Sequence, residues 1–336
     1  MAITSISDLW VPDIWMGAIS EAMANEPALI NSGVVVDDDT FNAVATGGGI
    51  KANIPVWLDP SDQVDEIQVE DTDPTLQKLT SDDQVAPILN RVSANSGTAL
   101  AAGVSGSDPV GFLTSKLAVR RLKQRQTVLV NILNGLFNTG GPLEALSDDE
   151  FSEEIASIDT ATDLITTERI INATSALGER ETDLENGAMF VHPAILAALR
   201  LQDENDFERD SSGPFTLTRW KGIPIFVSNA LYRAGTTDGV VYQTYLIAPG
   251  TIAKGEKPQQ GDTIDVASLQ YDESKGKNNW SIYDRTRFLL HPAGMKFTGT
   301  PAGQSATNAE LATPGNWSSV FSSTDRHGMV RIQSNG

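Results

Sequence analysis

The longest run of helical periodicity in the chain lies between Asp108 and Phe137. Asp108 followed by Pro109 reads as an N-cap with proline at the first helical position, and no further proline or glycine intervenes between Phe112 and Asn134. The expected helix covers 109–137 and, at about 1.5 Å per residue, spans on the order of 43 Å. Ala118, Leu122, Leu129, Leu133 and Leu136 fall on one face, with Lys116, Arg120, Lys123, Thr127, Asn131 and Asn134 as a stripe opposite. Arg125 falls on the apolar side, where it must snorkel to water or meet an acidic partner.

Before this helix the pattern is extended. Gly47 to Gly49 break the chain as a hinge, Ile54 to Leu58 reads as a short strand, and Val85 to Val92 reads as its return. Between them lies a polar excursion too poor in apolar residues to fill a core. Asn95 to Ser107 reads as a connector of small residues.

After the helix, strands and helices mix. Thr167 is expected to cap a helix through Leu177 with Gly178 stopping it, followed by a strand from Ala188 to His192 and a helix from Pro193 to Leu201. Strands follow at Ile223 to Ser228, Val240 to Ile247, Trp280 to Leu290, Met295 to Thr298 and Gly328 to Gln333. The sum is an α+β protein whose residues 165–270 look like one unit.

Charge alters this picture. The 336 residues carry 44 acidic and 24 basic side chains, a formal net charge of −20. Such a chain repels phosphate backbones, which disfavours sequence-specific reading of nucleic acid. The acidity is concentrated. Asp59, Asp62, Asp65, Glu66, Glu70, Asp71 and Asp73 form one run without a basic residue, and residues 144–168 form a second. Both runs read either as solvated loops or as partners for cations on a neighbouring copy. Lys116, Arg120, Arg121, Lys123 and Arg125, on the expected helix, are the obvious cations.

Candidate chemistry is sparse. The chain has no cysteine, which removes disulfides, thiolate metal sites and a cysteine nucleophile. Gly103-Val104-Ser105-Gly106-Ser107 lacks the final glycine of a serine elbow, and Gly47-Gly48-Gly49-Ile50-Lys51 lacks the spacing of a phosphate loop. His192, His291 and His327 are never spaced as a metal pair, and Asp37-Asp38-Asp39 fails the calcium-loop pattern at Phe41. No catalytic, cofactor or metal site is expected. The first basic residue is Lys51, so a secretory or transit leader is not expected, and no uncharged stretch reads as a membrane span. Trp10, Trp15 and Trp57 read as anchors to a partner or to the core.

Taken in order, several segments resemble tailed-bacteriophage major capsid proteins of the Hong Kong 97-type fold. The resemblance rests on Trp15 through Gly33 (WMGAISEAMANEPALINSG), the acidic excursion, the helix opened by Asp108-Pro109, and residues 170–200 ending in FVHPAILAALR. Trp220-Lys221-Gly222-Ile223-Pro224, Arg287 with His291-Pro292-Ala293-Gly294, and Asn308 through Trp317 (NAELATPGNW) continue it.

That resemblance implies an N-terminal arm (1–45), an extended loop (46–95) and a peripheral domain (96–164) with the spine helix 109–137. An axial domain (165–270), a return to the peripheral domain (271–299) and a C-terminal segment (300–336) complete it. It implies a shell of hexamers and pentamers around double-stranded DNA, assembled in the bacterial cytoplasm, with the acidic excursion lying across a neighbour. A separate scaffolding protein, a portal and a decoration or cement protein are the implied partners. No Lys-Asn crosslink is expected, because nothing marks an acceptor for Lys51 or Lys78. The competing expectations are the shell of a cellular nanocompartment with the same fold and an enzyme with an unrecognised site.

Overall fold

The computed structural model describes residues 28–58, 78–98, 109–160, 162–202, 207–210, 217–256, 268–272 and 279–336, together with 60, 66, 67, 70, 73, 75 and 76. The chain opens with α1 (Ala28–Asn31), β1 (Val35–Asp37), α2 (Asp39–Thr46), β2 (Lys51–Trp57), β3 (Ser81–Pro87) and β4 (Leu89–Thr98). Helix α3 (Pro109–Phe137) leads to β5 (Ser147–Asp149), α4 (Thr167–Ser175), β6 (Ala188–Val191) and α5 (Pro193–Gln202). Strands β7 (Phe207–Asp210), β8 (Leu217–Trp220), β9 (Ile223–Val227), β10 (Tyr232–Ala234), β11 (Val240–Ile247), β12 (Ile252–Glu256) and β13 (Ser268–Asp272) follow. The last elements are β14 (Asn279–Pro292), β15 (Met295–Phe297), α6 (Asn308–Ala312), β16 (Trp317–Ser319) and β17 (Met329–Ser334).

Helix α3 has the expected bounds, while its expected cap, Asp108, lies outside the described residues. Its two halves are held by different forces. From Val128 onward the helix buries Val128, Leu129, Ile132, Leu133, Leu136 and Phe137 in the main core. Gly135 is where the C-terminal segment crosses: a Cβ there would sit 2.2 Å from the Leu311 carbonyl oxygen and 2.7 Å from the Trp317 indole nitrogen. That indole N–H donates to the Leu311 carbonyl (2.8 Å), so the absent side chain lets α6 lie directly on the helix.

Among the described residues the strands form three sheets. The largest has the order β5-β17-β11-β6-β9-β8-β7, with β10 beside β11. Its buried strands Ala188–Val191 and Met329–Ser334 are continuous runs of inward residues rather than alternating ones. A second sheet is built on the long β14, flanked by β12, β13 and β4 and extended by β1. Ten consecutive pairs, from Asn279 with Thr98 to Phe288 with Leu89, join β14 to β4. The third, ordered β16-β15-β3-β2, carries the hairpin from which the acidic excursion leaves.

Several expectations need correction. The single return strand Val85 to Val92 is two strands: β3 belongs to the hairpin sheet and β4 to the long sheet. The expected connector from Asn95 is strand through Thr98, because Gly97 gives room to the Trp280 ring, which a Cβ would approach at 2.6 Å. The first helix after α3 is capped by Thr166, whose hydroxyl accepts from the Arg169 N–H (3.2 Å), one residue earlier than expected. Gly178 does not stop that helix; it opens a 3-10 segment, Gly178–Asn186.

Candidate assembly surfaces

Strands β2 and β3 leave the body together, paired from Lys51 with Pro87 to Trp57 with Ser81, and Leu58 N–H donates to the Thr80 carbonyl (3.0 Å). Farther out, Glu66 accepts the Thr75 N–H (2.9 Å), so the two limbs are still linked there. Hydrogen bonds from the Thr75 side chain and backbone hold the Glu66 carboxyl below its ordinary range. Trp57 is 72% exposed, and Ile67 and Leu76 are 90% and 92% exposed. Glu66, Glu70 and Asp73 are exposed as well. Asp59, Asp62, Asp65 and Asp71 lie outside the described residues, as do Trp10 and Trp15.

The five cations of α3 divide into two groups. Arg121 and Arg125 each meet a carboxylate of their own subunit. Arg121 Nε lies 3.0 Å from Asp284 Oδ1, on the long strand β14, and that carboxylate is almost wholly buried. Arg125 pairs with Glu256 (2.6 Å) and lies over the Phe288 ring, 5.6 Å from its centroid, which resolves how it survives on the apolar face. Burial lowers the Arg125 pKa, opposed chiefly by the attraction of Glu256. Lys116, Arg120 and Lys123 are half-buried and make no side-chain hydrogen bond or ion pair with the described residues.

Asn134, expected on the outer stripe, is turned inward. Its Oδ1 accepts from Gln243 Nε2 (2.9 Å) and from the Tyr245 hydroxyl (3.3 Å). Burial pushes the Tyr245 phenol up to about 12, so it stays a donor.

The second acidic run also has internal partners. Asp148 pairs with Arg169 (2.9 Å), Asp149 with Arg331 (3.1 Å) and Glu153 with Arg233 (2.8 Å). Of the carboxylates in the excursion at 59–73, the described Glu66, Glu70 and Asp73 make no ion pair with the described residues of their own chain.

A cleft of about 330 Å³ opens beside the outer end of the β2–β3 pair, lined by Trp57, Leu58, Arg180, Thr251, Phe321 and Arg326, among others. Its floor is braced. The Phe321 ring lies where a Cβ on Gly294 (φ +75°) would be, 2.4 Å away, and stacks on His327 at 4.9 Å. His327 lies 2.9 Å from Ser319 Oγ through Nε2 and 3.1 Å from the Ala293 carbonyl through Nδ1. The Ser319–His327 distance suits a nucleophile and base, but His327 is 1% exposed and its second nitrogen meets a carbonyl rather than a carboxylate. Among the described residues no group of three or more His, Asp or Glu side chains is placed to hold a metal ion. The sequence offered no sign of the cleft, whose walls come from five distant parts of the chain.

No family model matches the chain. The major capsid protein of Bacillus phage SPP1 is 30% identical over 330 residues, 96% of this chain and 95% of that protein. The chain belongs to the tailed-phage major capsid protein family. Solved structures show the same α+β capsid fold at low identity. The Cyanophage Pam1 capsid asymmetric unit matches with a TM-score of 0.59 and 10% identity, over 96% of each chain. The capsid of a native GTA particle matches with a TM-score of 0.55 and 10% identity, over the whole of both chains. The holo-SrpI encapsulin complex from Synechococcus elongatus matches with a TM-score of 0.54 and 8% identity, over 95% of this chain and 91% of that one. A capsid protein of this family forms a virion shell by self-association. The exposed hairpin and Lys116, Arg120 and Lys123, which have no side-chain partner among the described residues, are therefore surfaces to be weighed as contacts between copies.

Proposed function

We propose that copies of this chain assemble as hexamers and pentamers into an icosahedral shell around the double-stranded DNA of a tailed phage. The observation that carries the proposal is similarity to a phage major capsid protein along 96% of the chain. The six segments, from arm to C-terminal segment, keep the bounds set out above. The excursion lies across a neighbouring copy, with Trp57 and the carboxylates of 59–73 on one side of the contact and Lys116, Arg120 and Lys123 on the other.

The physical case is one of burial. Ile67, Leu76 and Trp57 are large apolar side chains held in water, and covering each contributes about 1.5–3 kcal/mol. An exposed ion pair contributes only about 0–1 kcal/mol. The apolar side chains therefore supply affinity, while the charges set register and partner. A subunit with several neighbours is held by all of them at once.

The chain acts without catalysis, cofactor or covalent crosslink. A separate scaffolding protein, a portal and a decoration protein are its partners, and assembly takes place in the host cytoplasm. Its net charge of −20 gives a wall that does not adhere to packaged DNA and reads no sequence in it. No helix among the described residues is long and apolar enough to cross a membrane.

The likeness to an encapsulin supports a second reading, a nanocompartment shell enclosing protein cargo. Negative-stain microscopy of the expressed protein, with and without the product of the neighbouring gene, tests both. Closed particles are expected; monomers under every condition would refute the shell. Particles enclosing a co-expressed cargo protein would favour the compartment.

A further inference from the structure

We infer that the β2–β3 pair is a hinged arm whose angle to the body is set by two positioning residues, Arg287 and Lys296. On the shell reading above, which this second step rests on, the angle governs the geometry of the assembled particles. The arm leaves the body at two places, through residues 47–50 before β2 and through Ile88 alone between β3 and β4. Against β15 it has one paired position, Val85 with Lys296. Its apolar contact is a small cluster of Phe41, Ala52, Ala86, Ile88 and Leu289, separate from the main core that buries the end of α3. Lys51, at the start of β2, adds a hydrogen bond to the Thr298 carbonyl (3.4 Å).

The entry at 47–50 has little stiffness of its own. A Cβ on Gly48 would meet nothing within 4 Å, and Gly49 holds φ +111°, a conformation that residues with a side chain rarely adopt. Orientation must therefore come from outside the segment. Arg287, on β14, donates through Nη2 to the carbonyls of Gly47 and Gly49, the second at 3.4 Å, and meets no carboxylate among the described residues. Its charge strengthens hydrogen bonds made at the hinge itself.

Lys296 grips the arm beyond the hinge. Its ammonium lies on Asp83 and 3.4 Å from Asp82, near the outer end of β3. The side chains of Lys296, Asp83 and Asp82 are 29%, 39% and 45% exposed, so water screens the attraction and the contact holds a position without fixing it rigidly. One grip at the hinge and one along the arm define an angle, and the second is weak enough to yield. Copies in hexamers and in pentamers meet their neighbours at different inclinations, and a yielding arm serves both.

The chain has no cysteine, so two introduced thiols carry spin labels at chosen places. Ser81→Cys on the arm and Thr127→Cys on α3 are exposed positions, and pulsed electron paramagnetic resonance reads their separation in the unassembled subunit. The parent is expected to give one narrow distance distribution. Arg287→Gln and Lys296→Gln should each broaden it, raising the population away from the parent distance roughly five-fold, the weight of an exposed ion pair near its upper bound. Lys296→Arg should keep it narrow. If Lys296→Gln does not fold, Asp82→Asn with Asp83→Asn tests the same contact from the other side, with the same broadening expected. A distribution equally narrow in the parent and the variants, or broad in all of them, would overturn the hinge. Particles of the Gln variants imaged by negative stain should spread in diameter; parent-like particles from a broadened arm would overturn the second step. If the parent forms no particles, the shell reading itself fails, while the distances in the subunit still decide the hinge.

Discussion

The Arg331 guanidinium lies on the Asp149 carboxylate, at 3.1 and 3.2 Å from its two oxygens, with only 1% of the arginine side chain exposed. Its other donors reach the Phe137 carbonyl (2.9 Å), Asn138 Oδ1 (2.6 Å) and Ser147 Oγ (2.8 Å). One residue of β17 thus ties the end of α3 to β5. Arg331→Met leaves these acceptors without a donor and is expected to cost about 3 kcal/mol of subunit stability. Arg331→Lys recovers only part of that, since a point cation cannot serve the same spread of acceptors. Urea unfolding of the unassembled subunit measures both, and equal stability of all three proteins would contradict the assignment.

Gly135→Ala tests the crossing of α6 over α3. Alanine is the better helix former by about 1 kcal/mol, yet its methyl group would enter the space of the Leu311 carbonyl and the Trp317 indole. A net loss of about 1–3 kcal/mol is expected, with a change in tryptophan fluorescence as the Trp317 hydrogen bond breaks. A stabilised variant would mean that the C-terminal segment does not lie on the helix.

How far was this architecture legible in the residues? Helix α3 was, because no proline or glycine interrupts it between Phe112 and Asn134. Strand β5 was not: Ser147-Asp148-Asp149 reads as a loop, and becomes a strand because Arg169 and Arg331 neutralise its carboxylates. The same limit applied to the surfaces. The excursion at 59–73 stood out as a run of like charge, but the commitment of Arg121 to Asp284 joins residues 163 positions apart, a separation that no local pattern reports. The cleft was hidden for the same reason.

Acid should loosen the unassembled subunit between about pH 6.5 and 4. Burial holds both His291 and His327 down at about 4, opposed by a backbone contact with Met295 for the first and Ala293 for the second. In the unfolded chain they titrate near 6.5. The unfolded state therefore binds protons first, and the stability from keeping these rings neutral is present above pH 6.5 and lost as pH falls through 4. Each contributes up to about 1.4 kcal/mol per pH unit in that window. His291→Leu should flatten the profile of the urea midpoint against pH; an unchanged slope would show that the ring is not held neutral.

Substitution of the cations should separate stability from assembly. Replacing Lys116, Arg120 and Lys123 with Gln is expected to leave unfolding within about 0.5 kcal/mol, since none has a side-chain partner among the described residues. Asp284→Asn, which removes the buried carboxylate that Arg121 meets, should cost about 2 kcal/mol. Particle yield should show the reverse ranking for the triple variant, and assembly of that variant at wild-type level would remove the stripe from the contact.

Reversing Asp65, Glu66, Glu70 and Asp71 to Lys should abolish or impair particle formation while the circular dichroism and unfolding midpoint of the subunit stay unchanged. Sedimentation of the assembly mixture reads the outcome. Normal particles would show the excursion to be no more than a solvated loop.

Strand β17 lies between β5 and β11, although both of those precede it by many residues. Roughly 80 residues separate the end of β11 from the start of β17. At about 5–20 residues per second, a ribosome needs on the order of 4–16 s to supply the missing strand. Until then β5 is cut off from the rest of the largest sheet, and the end of α3 lacks the arginine that fastens it. A nascent chain thus exposes its hairpin before it has a finished body, and recruitment into a growing shell waits on translation reaching the last strand.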